Sequence, residues 1–207
     1  MIKKIQTKKN TLIFDFTKKL VTKIFTDNIA FEKEFYVYRK NPPFAPKLID
    51  FAENRLIIKF IVGSDLFKLR NPDFGDLAKL FFDFHSFFDN KISFVDTNPH
   101  NIIFSNKFQR YFLIDFSEYK NGDISFDLAH FLLFWAEIYN EYEFKDISSK
   151  FIDSYLQLQD IKKELWIDAI DKAIRYFDLR RKNYNKKERL KGGFTKENRE
   201  FLISLVG

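Results

Sequence analysis

The order of apolar segments along the 207 residues predicts an α+β protein, with a small N-terminal antiparallel sheet plus one helix and a larger, mainly helical C-terminal part. Short apolar runs separated by polar turns fill the first part, and apolar residues at helical spacing dominate the second. One pair of short apolar runs interrupts the helical part near residue 100. Because strands and helices are segregated along the chain, we expect two lobes, residues 1–62 and 63–207.

The N-terminal lobe is predicted from apolar runs that read as strands at residues 2–6, 11–16 and 20–25. Asp27 or Asn28 can cap a helix that runs to about Lys40. The prolines of Asn41-Pro42-Pro43 end this helix, because proline lacks the N–H and restricts the residue before it. Two further strands are expected at residues 47–51 and 55–61.

The C-terminal lobe begins near Gly63-Ser64-Asp65 and is predicted to consist mostly of helices. Asp123 is expected to act as an N-cap. The predicted helices cover residues 72–88, 123–140, 145–157, 161–180 and 195–205. Trp135, Tyr139 and Tyr142 share a face at helical spacing, and we expect at least two of them in the core.

Composition excludes several classes of protein. A hydrophobic content of 45% supports a real core and argues against a disordered chain, and the lack of cysteine excludes disulfides, thiolate chemistry and cysteine-based zinc sites. No segment has the ~18 uninterrupted apolar residues of a membrane span, and the N-terminus lacks the apolar stretch of a signal peptide. These features predict a cytoplasmic protein.

Much of the net charge of +6 lies in the basic run at residues 180–191. Such a run could bind an anionic sugar, a membrane surface or nucleic acid, although more often it is a solvated face. No nucleic-acid-binding signature accompanies the run, so we expect no nucleic-acid partner.

The most informative motif is Phe94-Val95-Asp96-Thr97-Asn98-Pro99-His100-Asn101, followed by Leu113-Ile114-Asp115-Phe116. Kinase-type phosphoryl transfer uses an Asp to orient or deprotonate the acceptor hydroxyl, then an Asn and a second Asp as oxygen ligands for Mg²⁺. Asp96, Asn101 and Asp115 can fill these roles in that order. Alone, Asp-Thr-Asn-Pro is also typical of a polar turn. The apolar runs after Asn101 and before Asp115 predict a hairpin that holds both side chains near one another.

These residues resemble the aminoglycoside phosphotransferase and choline kinase branch of the protein-kinase-like superfamily, which carries His-Gly-Asp-x-x-x-x-Asn, then Ile-Asp-Phe or Ile-Asp-Trp, then Gly-Asp-x-x-x-Asp-Leu-Ala. The chain has Ile114-Asp115-Phe116 and then Gly122-Asp123-Ile124-Ser125-Phe126-Asp127-Leu128-Ala129. Asn98-Pro99-His100-Asn101 also looks like the loop of small lipopolysaccharide sugar kinases of the Kdo type. Within this resemblance, Asp127 reads as a support residue that accepts backbone amides of the catalytic loop.

Two departures from the family pattern stand out. Phe94 replaces the catalytic-loop His, and Val95 replaces the small residue after it. The chain also has no glycine before Gly63, so a glycine-rich phosphate-covering loop is absent. The turn at Gln6-Thr7-Lys8-Lys9-Asn10 stands in its place; Lys8 or Lys9 could supply the charge, but solvated turn lysines are the more common reading.

A kinase-like site also requires a strand Lys that reaches the nucleotide phosphates and pairs with a helix Glu. Lys23 lies in the third apolar run, and the resemblance favours Glu34 over its rival Glu32 as the partner. The adenine of ATP is expected between the lobes, against the segment Lys59-Phe60-Ile61-Val62.

The resemblance thus implies an ATP- and Mg²⁺-dependent phosphotransferase that acts on a hydroxyl of a small molecule, sugar or glycan. One alternative is a choline- or ethanolamine-type kinase, because aromatic and acidic residues alternate from Trp135 to Glu143. Another is a catalytically degenerate kinase fold that binds nucleotide or acts as a scaffold, which the missing glycine loop and Phe94 favour.

Overall fold

The computed structural model describes residues 1–7, 9–136, 138–185 (181–185 as backbone only) and 195–207. It confirms the α+β class. The strands are β1 (Ile2–Gln6), β2 (Asn10–Asp15), β3 (Leu20–Phe25), β4 (Leu48–Ala52), β5 (Arg55–Lys59), β6 (Ser64–Asp65), β7 (Ile92–Ser93), β8 (Ile102–Ser105), β9 (Arg110–Leu113) and β10 (Lys120–Asn121). The helices are α1 (Asn28–Tyr38), α2 (Phe74–Phe87), α3 (Ser125–Trp135), α4 (Glu141–Leu156), α5 (Lys163–Asn185) and α6 (Lys196–Ser204).

The chain forms two compact units, the first of which contains residues 1–70 and 100–119. Its main sheet is antiparallel, with the strand order β1-β2-β3-β5-β4. Helix α1 follows β3, and its N-terminus is capped by Asp27, whose carboxylate accepts the Ile29 N–H at 2.9 Å. The central strand β3 pairs with both β2 and β5, with Lys23 opposite Leu12 on one side and Leu56 on the other.

A second sheet in the same unit has the order β6-β8-β9. The pairing of Ile102 with Leu113 closes the predicted hairpin. Gly63 precedes β6 at a point where only glycine fits, because a Cβ there would lie 2.1 Å from the carbonyl oxygen of Phe104. This close approach fixes the start of the strand that runs beside the hairpin.

The second unit contains residues 71–99 and 120–207 and is mainly helical. Its core includes aromatic side chains from α2, α3 and α4, such as Phe81, Phe131 and Phe151, whose ring centroids lie 5.0–5.7 Å apart. The short strands β7 and β10 pair antiparallel and bring the residues before Phe94 beside the start of α3. None of the helices in the described ranges is long and apolar enough to cross a membrane.

Some predicted boundaries were wrong. Helix α3 ends at Trp135, not at Asn140, because Asn140 is the N-cap of α4 and forms a reciprocal capping box with Glu143. Trp135 and Tyr142 therefore belong to different helices. Of the three aromatic residues expected to share a face only Trp135 is buried, whereas Tyr142 is 82% exposed, so the expectation that at least two lie in the core was wrong.

The two compact units do not coincide with residues 1–62 and 63–207, because the β8–β9 hairpin groups with the N-terminal segment. The division into a nucleotide-covering lobe and a catalytic lobe stays a prediction about function. Of the basic run at 180–191, residues 186–191 lie outside the described residues, as do the side chains from 181 onward.

Candidate active site

The first unit contains a cavity of about 290 Å³ that is bordered by residues from the main sheet, α1 and the β8–β9 hairpin. Its lining includes seven of the candidate nucleotide- and metal-binding residues: Lys23, Glu34, Lys59, Phe60, Ile61, Asn101 and Asp115. Val62, the last residue of the segment expected against the adenine, is not among the lining residues and is 57% exposed. Apolar side chains, among them Leu12 and Ile58, line the rest of the cavity. Residues that are distant in the sequence therefore line one cavity, which is apolar on one part of its surface and charged on another.

Lys23 is the centre of this cluster. Its ammonium group forms ion pairs with Glu34 and, at 3.0 Å, with Asp115 Oδ1. Lys23 is 7% exposed and Glu34 is fully buried, whereas Glu32 is exposed on the same helix. The structure thus places Glu34, rather than Glu32, against the strand lysine.

Two carboxylates share this one lysine, and their protonation differs. Burial, together with the charge of Asp115, raises the pKa of Glu34 to about 8, although Lys23 acts in the opposite direction. Burial would also raise the pKa of Asp115, but the Lys23 ammonium and hydrogen bonds lower it to about 2. Asp115 is therefore the ionised member of the pair near neutral pH.

The hairpin brings Asn101 and Asp115 together, as the sequence predicts. The Ile114 N–H donates to the Asn101 carbonyl at 2.9 Å, and Asn101 itself ends a short 3₁₀ turn, Pro99–Asn101. Asp115 has a left-handed backbone with φ of 63°, and its carboxylate accepts the Ser117 hydroxyl at 3.0 Å. Aspartate tolerates this backbone conformation better than most residues.

These two side chains fit a magnesium ion. Mg²⁺ usually takes one or two protein oxygen ligands and completes its shell with phosphate oxygens and water. An amide oxygen and an ionised carboxylate meet this need. Among the described residues no group of three or more His, Cys or acidic side chains forms a closed metal site.

The turn that replaces a glycine-rich loop is held by its own polar groups. The Thr7 hydroxyl and N–H both donate to the Asn10 carbonyl, at 2.9 and 2.8 Å. Lys9 pairs with Glu118 at 3.0 Å, close after Asp115 in the chain. Lys8 lies outside the described residues.

In the second unit, Asp127 supports the loop that carries Asp96. Its buried carboxylate accepts the Phe94 N–H, the Val95 N–H at 2.7 Å and the Ser93 hydroxyl at 2.7 Å. Nε2 of His85 lies 3.0 Å from the same carboxylate. Asp127 thus accepts backbone amides of the loop, as the resemblance implies.

Val95 has a backbone conformation that the sequence did not reveal. Its φ is 69°, a region that β-branched residues rarely occupy. The position is the one at which the family has a small residue, and the bond from the Val95 N–H to Asp127 helps to hold the strained backbone. Phe94, which replaces the family His, is fully buried and packs against Phe84 with ring centroids 5.6 Å apart.

Asp96 follows directly in this loop and lies 3.4 Å from Nη1 of Arg180 in α5. The neighbouring Thr97 hydroxyl is 2.8 Å from Nδ1 of His130 in α3. In the sequence Arg180 is only the first residue of a basic run, and nothing local connects Arg180 or His130 to the loop.

Asp65 is a further polar residue that sequence reasoning missed. Lys68 contacts its carboxylate at 2.6 Å, and Nδ1 of His100 lies 3.3 Å from it. The structure places His100 beside Asp65 and the ring of Phe67, with the centroids of the His100 and Phe67 rings 4.8 Å apart.

Comparison with solved structures places this fold in a known class. It matches a choline/ethanolamine kinase family protein from Mesorhizobium loti with a TM-score of 0.64 and 12% identity, covering 99% of this chain and 92% of that one. It also matches a Plasmodium vivax ethanolamine kinase (TM-score 0.57, 14% identity, 99% and 81% coverage) and monomeric WbdD (TM-score 0.53, 15% identity, 69% and 44% coverage).

The chain therefore shares its fold with these choline/ethanolamine kinase structures, which confirms the fold that the resemblance implies. No protein-family model matches the chain, and no curated protein matches it in sequence.

Proposed function

We propose that the protein is an ATP-dependent phosphotransferase that moves the γ-phosphate to a hydroxyl of a small molecule or a sugar. The observation that carries this proposal is a single cavity whose lining combines apolar side chains with four polar ones: Lys23, Glu34, Asn101 and Asp115. A buried lysine held by two carboxylates, beside an amide and a carboxylate oxygen, provides both a cation for phosphate oxygens and oxygen ligands for Mg²⁺.

In this proposal the adenine occupies the apolar part of the cavity, beside Lys59, Phe60 and Ile61. Lys23 binds phosphate oxygens and is kept in place by Glu34. Asn101 and Asp115 would hold Mg²⁺, which neutralises charge on the phosphates when bound. Asp96 accepts the proton of the acceptor hydroxyl and orients it, so that most of the rate acceleration comes from positioning and charge neutralisation.

A thermal-shift titration with ATP and Mg²⁺, followed by turnover assays, tests the proposal. We expect ATP with Mg²⁺ to stabilise the wild-type protein, and Asp96→Asn and Asp115→Ala each to remove turnover. Asp96→Asn should retain nucleotide binding, since Asp96 is assigned to the acceptor. Absence of nucleotide binding by the wild type, or wild-type turnover in both variants, would show that the assignment is wrong.

A catalytically degenerate nucleotide-binding or scaffold protein is the second candidate. Phe94 and the lysine-containing turn in place of a glycine loop favour it. Against it, every residue type with a direct chemical role is present. Nucleotide binding without turnover on a broad acceptor panel that includes choline, ethanolamine, aminoglycosides and Kdo-type sugars would favour this candidate.

A further inference from the structure

A cation stands beside the proposed acceptor-binding carboxylate. Nη1 of Arg180 lies 3.4 Å from Asp96 Oδ1, and the same nitrogen donates to the Tyr176 hydroxyl at 2.9 Å. Both charged side chains are partly accessible, with 27% of the Arg180 side chain and 16% of the Asp96 side chain exposed. A ligand that reaches Asp96 would therefore meet the guanidinium as well.

The guanidinium is held from the helix side. Tyr176 lies one turn before Arg180 in α5, and the guanidinium carbon is 5.5 Å from the centre of its ring. That ring packs edge-on against Phe126 and His130 of α3, at centroid distances of 5.5 and 5.2 Å. His130 in turn contacts Thr97, the residue after Asp96. The arginine is therefore oriented by the same helices that contact the loop.

Stability alone does not explain an arginine here. Partly exposed ion pairs contribute only ~0–1 kcal/mol to folding, so the pair adds little to the loop beyond what Asp127 provides. A planar guanidinium is, however, the side chain best suited to bind a carboxylate or a phosphate. It also repels a cation, so a quaternary ammonium or amino alcohol would be placed beside a like charge.

We propose that the acceptor carries a carboxylate or phosphate group close to the reacting hydroxyl, and that Arg180 binds this anionic group. The proposal rests on the phosphotransferase function above. When the acceptor binds, Arg180 exchanges Asp96 for the acceptor anion, and Asp96 takes the hydroxyl proton. The hydroxyl oxygen bonds to the γ-phosphorus, the bond from that phosphorus to the bridging oxygen breaks, and ADP leaves. Arg180 is thus a specificity-determining and positioning residue.

Acceptor pairs in which an anionic group replaces or esterifies one hydroxyl test this proposal. The panel pairs glucose with glucuronate and glucose 6-phosphate, and glycerol with glycerate and glycerol 3-phosphate; choline is the cationic member. Comparison of the carboxylate acceptors with the phosphate acceptors shows which anionic group Arg180 binds. For each acceptor, kcat and KM are measured for wild type, Arg180→Gln, Arg180→Lys and Arg175→Gln, the last of which removes an exposed arginine from the same helix.

We expect the wild type to favour the anionic member of a pair by about tenfold or more, as one charge-assisted hydrogen bond would provide. Arg180→Gln should remove this preference mainly through KM, Arg180→Lys should retain part of it, and Arg175→Gln should leave it intact. The ratio of anionic to neutral acceptor cancels any general loss of activity. An unchanged ratio in Arg180→Gln, or a wild-type preference for glucose, glycerol or choline, overturns the proposal.

Acceptor binding without nucleotide separates this proposal from the function on which it rests. Thermal shifts with glucuronate and glycerol 3-phosphate should be present in the wild type and lost in Arg180→Gln, whether or not the protein turns over ATP. If neither anion gives an Arg180-dependent shift or rate, the proposal is wrong even when ATP with Mg²⁺ binds. If ATP does not bind but the anions do, the phosphotransferase assignment fails and the anion site stands.

Discussion

Asp127 in the second unit and Glu34 in the first are both completely buried carboxylates, yet their surroundings are opposite. Asp127 accepts two backbone N–H groups and the Ser93 hydroxyl, and it faces His85. Glu34 faces one lysine, which it shares with Asp115, and its Oε2 has no hydrogen-bond partner among the described residues.

The difference distinguishes a carboxylate that stabilises a loop from one that belongs to the proposed nucleotide site. Hydrogen bonds fill the acceptor capacity of Asp127, so this side chain fixes the shape of the loop and has little left for a ligand. In the Lys23 cluster the ammonium and the ionised Asp115 carboxylate balance one another near neutral pH, whereas burial keeps Glu34 largely neutral. The Asp115 side chain also lines the cavity and is 39% exposed, so it stays accessible to the metal ion of the proposed function.

The largest effect is expected from Asp127→Ala. It leaves three buried donors without an acceptor, and breaking a buried charged network costs ~3–5 kcal/mol of unfolding free energy. Urea unfolding measures the loss. Asp127→Asn, which keeps the shape and one acceptor, should lose less. The N-cap of α3 is Ile124 and not Asp123 as expected, so Asp123→Ala removes only the hydrogen bond that its carboxylate accepts from the Ser125 N–H and should cost about 1 kcal/mol. Equal losses for Asp127→Ala and Asp123→Ala would contradict the structural role of Asp127.

Lys23→Met should act on ligand binding. Removal of the ammonium takes away a charge-assisted contact to phosphate, which corresponds to a loss of ~10- to 100-fold in affinity for ATP with Mg²⁺. Isothermal titration gives the dissociation constants. Lys4→Met on the exposed strand β1 serves as the matched control and should bind ATP like the wild type. Unchanged ATP affinity in Lys23→Met would remove the main support for a nucleotide site in this cavity.

A pH series on Glu34→Gln sharpens the comparison further. Because the pKa of Glu34 is raised to about 8 from its ordinary 4.5, its neutral form stabilises the fold fully below pH 4.5, and this contribution is lost as pH rises through 8. Glutamine is neutral throughout. The melting temperature of Glu34→Gln relative to wild type should therefore increase from pH 5 to pH 8.5.

Glu32→Gln, on the exposed side of the same helix, controls for removal of a glutamate from α1. Its melting temperature should follow that of the wild type across the series. A constant difference between Glu34→Gln and wild type would mean that Glu34 is ionised throughout, as a simple partner of Lys23.

The smallest effect is expected from Lys9→Ala. The pair with Glu118 is exposed, with 54% of the Lys9 side chain and 23% of the Glu118 side chain accessible, so its loss should change the unfolding free energy by less than ~1 kcal/mol. ATP affinity should stay within about threefold of the wild-type value. A tenfold weaker affinity would instead indicate that this turn lysine takes over the part of the missing glycine loop.

Much of the first unit could be predicted because its signals are local. Short apolar runs between polar turns placed β1 and β3 at their observed bounds, and Asp27 with Pro42 and Pro43 marked the ends of α1 to within a few residues. The spacing from Asn101 to Asp115 predicted the hairpin that brings both into one cavity. The end of α3 was predicted wrongly because apolar residues at helical spacing continue to Asn140. In the structure Asn140 instead forms the capping box that begins α4.

The sequence by itself determined the strand and helix order, the hairpin and the identity of the charged residues, since periodicity, caps and turn residues act over a few positions. Only the tertiary structure decided which charged groups form ion pairs and which residues have a strained backbone. Arg180 meets Asp96 across 84 positions of sequence, and Val95 keeps a φ of 69° because Asp127, 32 positions later, accepts its N–H. Burial and electrostatics depend on such distant partners, and no local pattern encodes them.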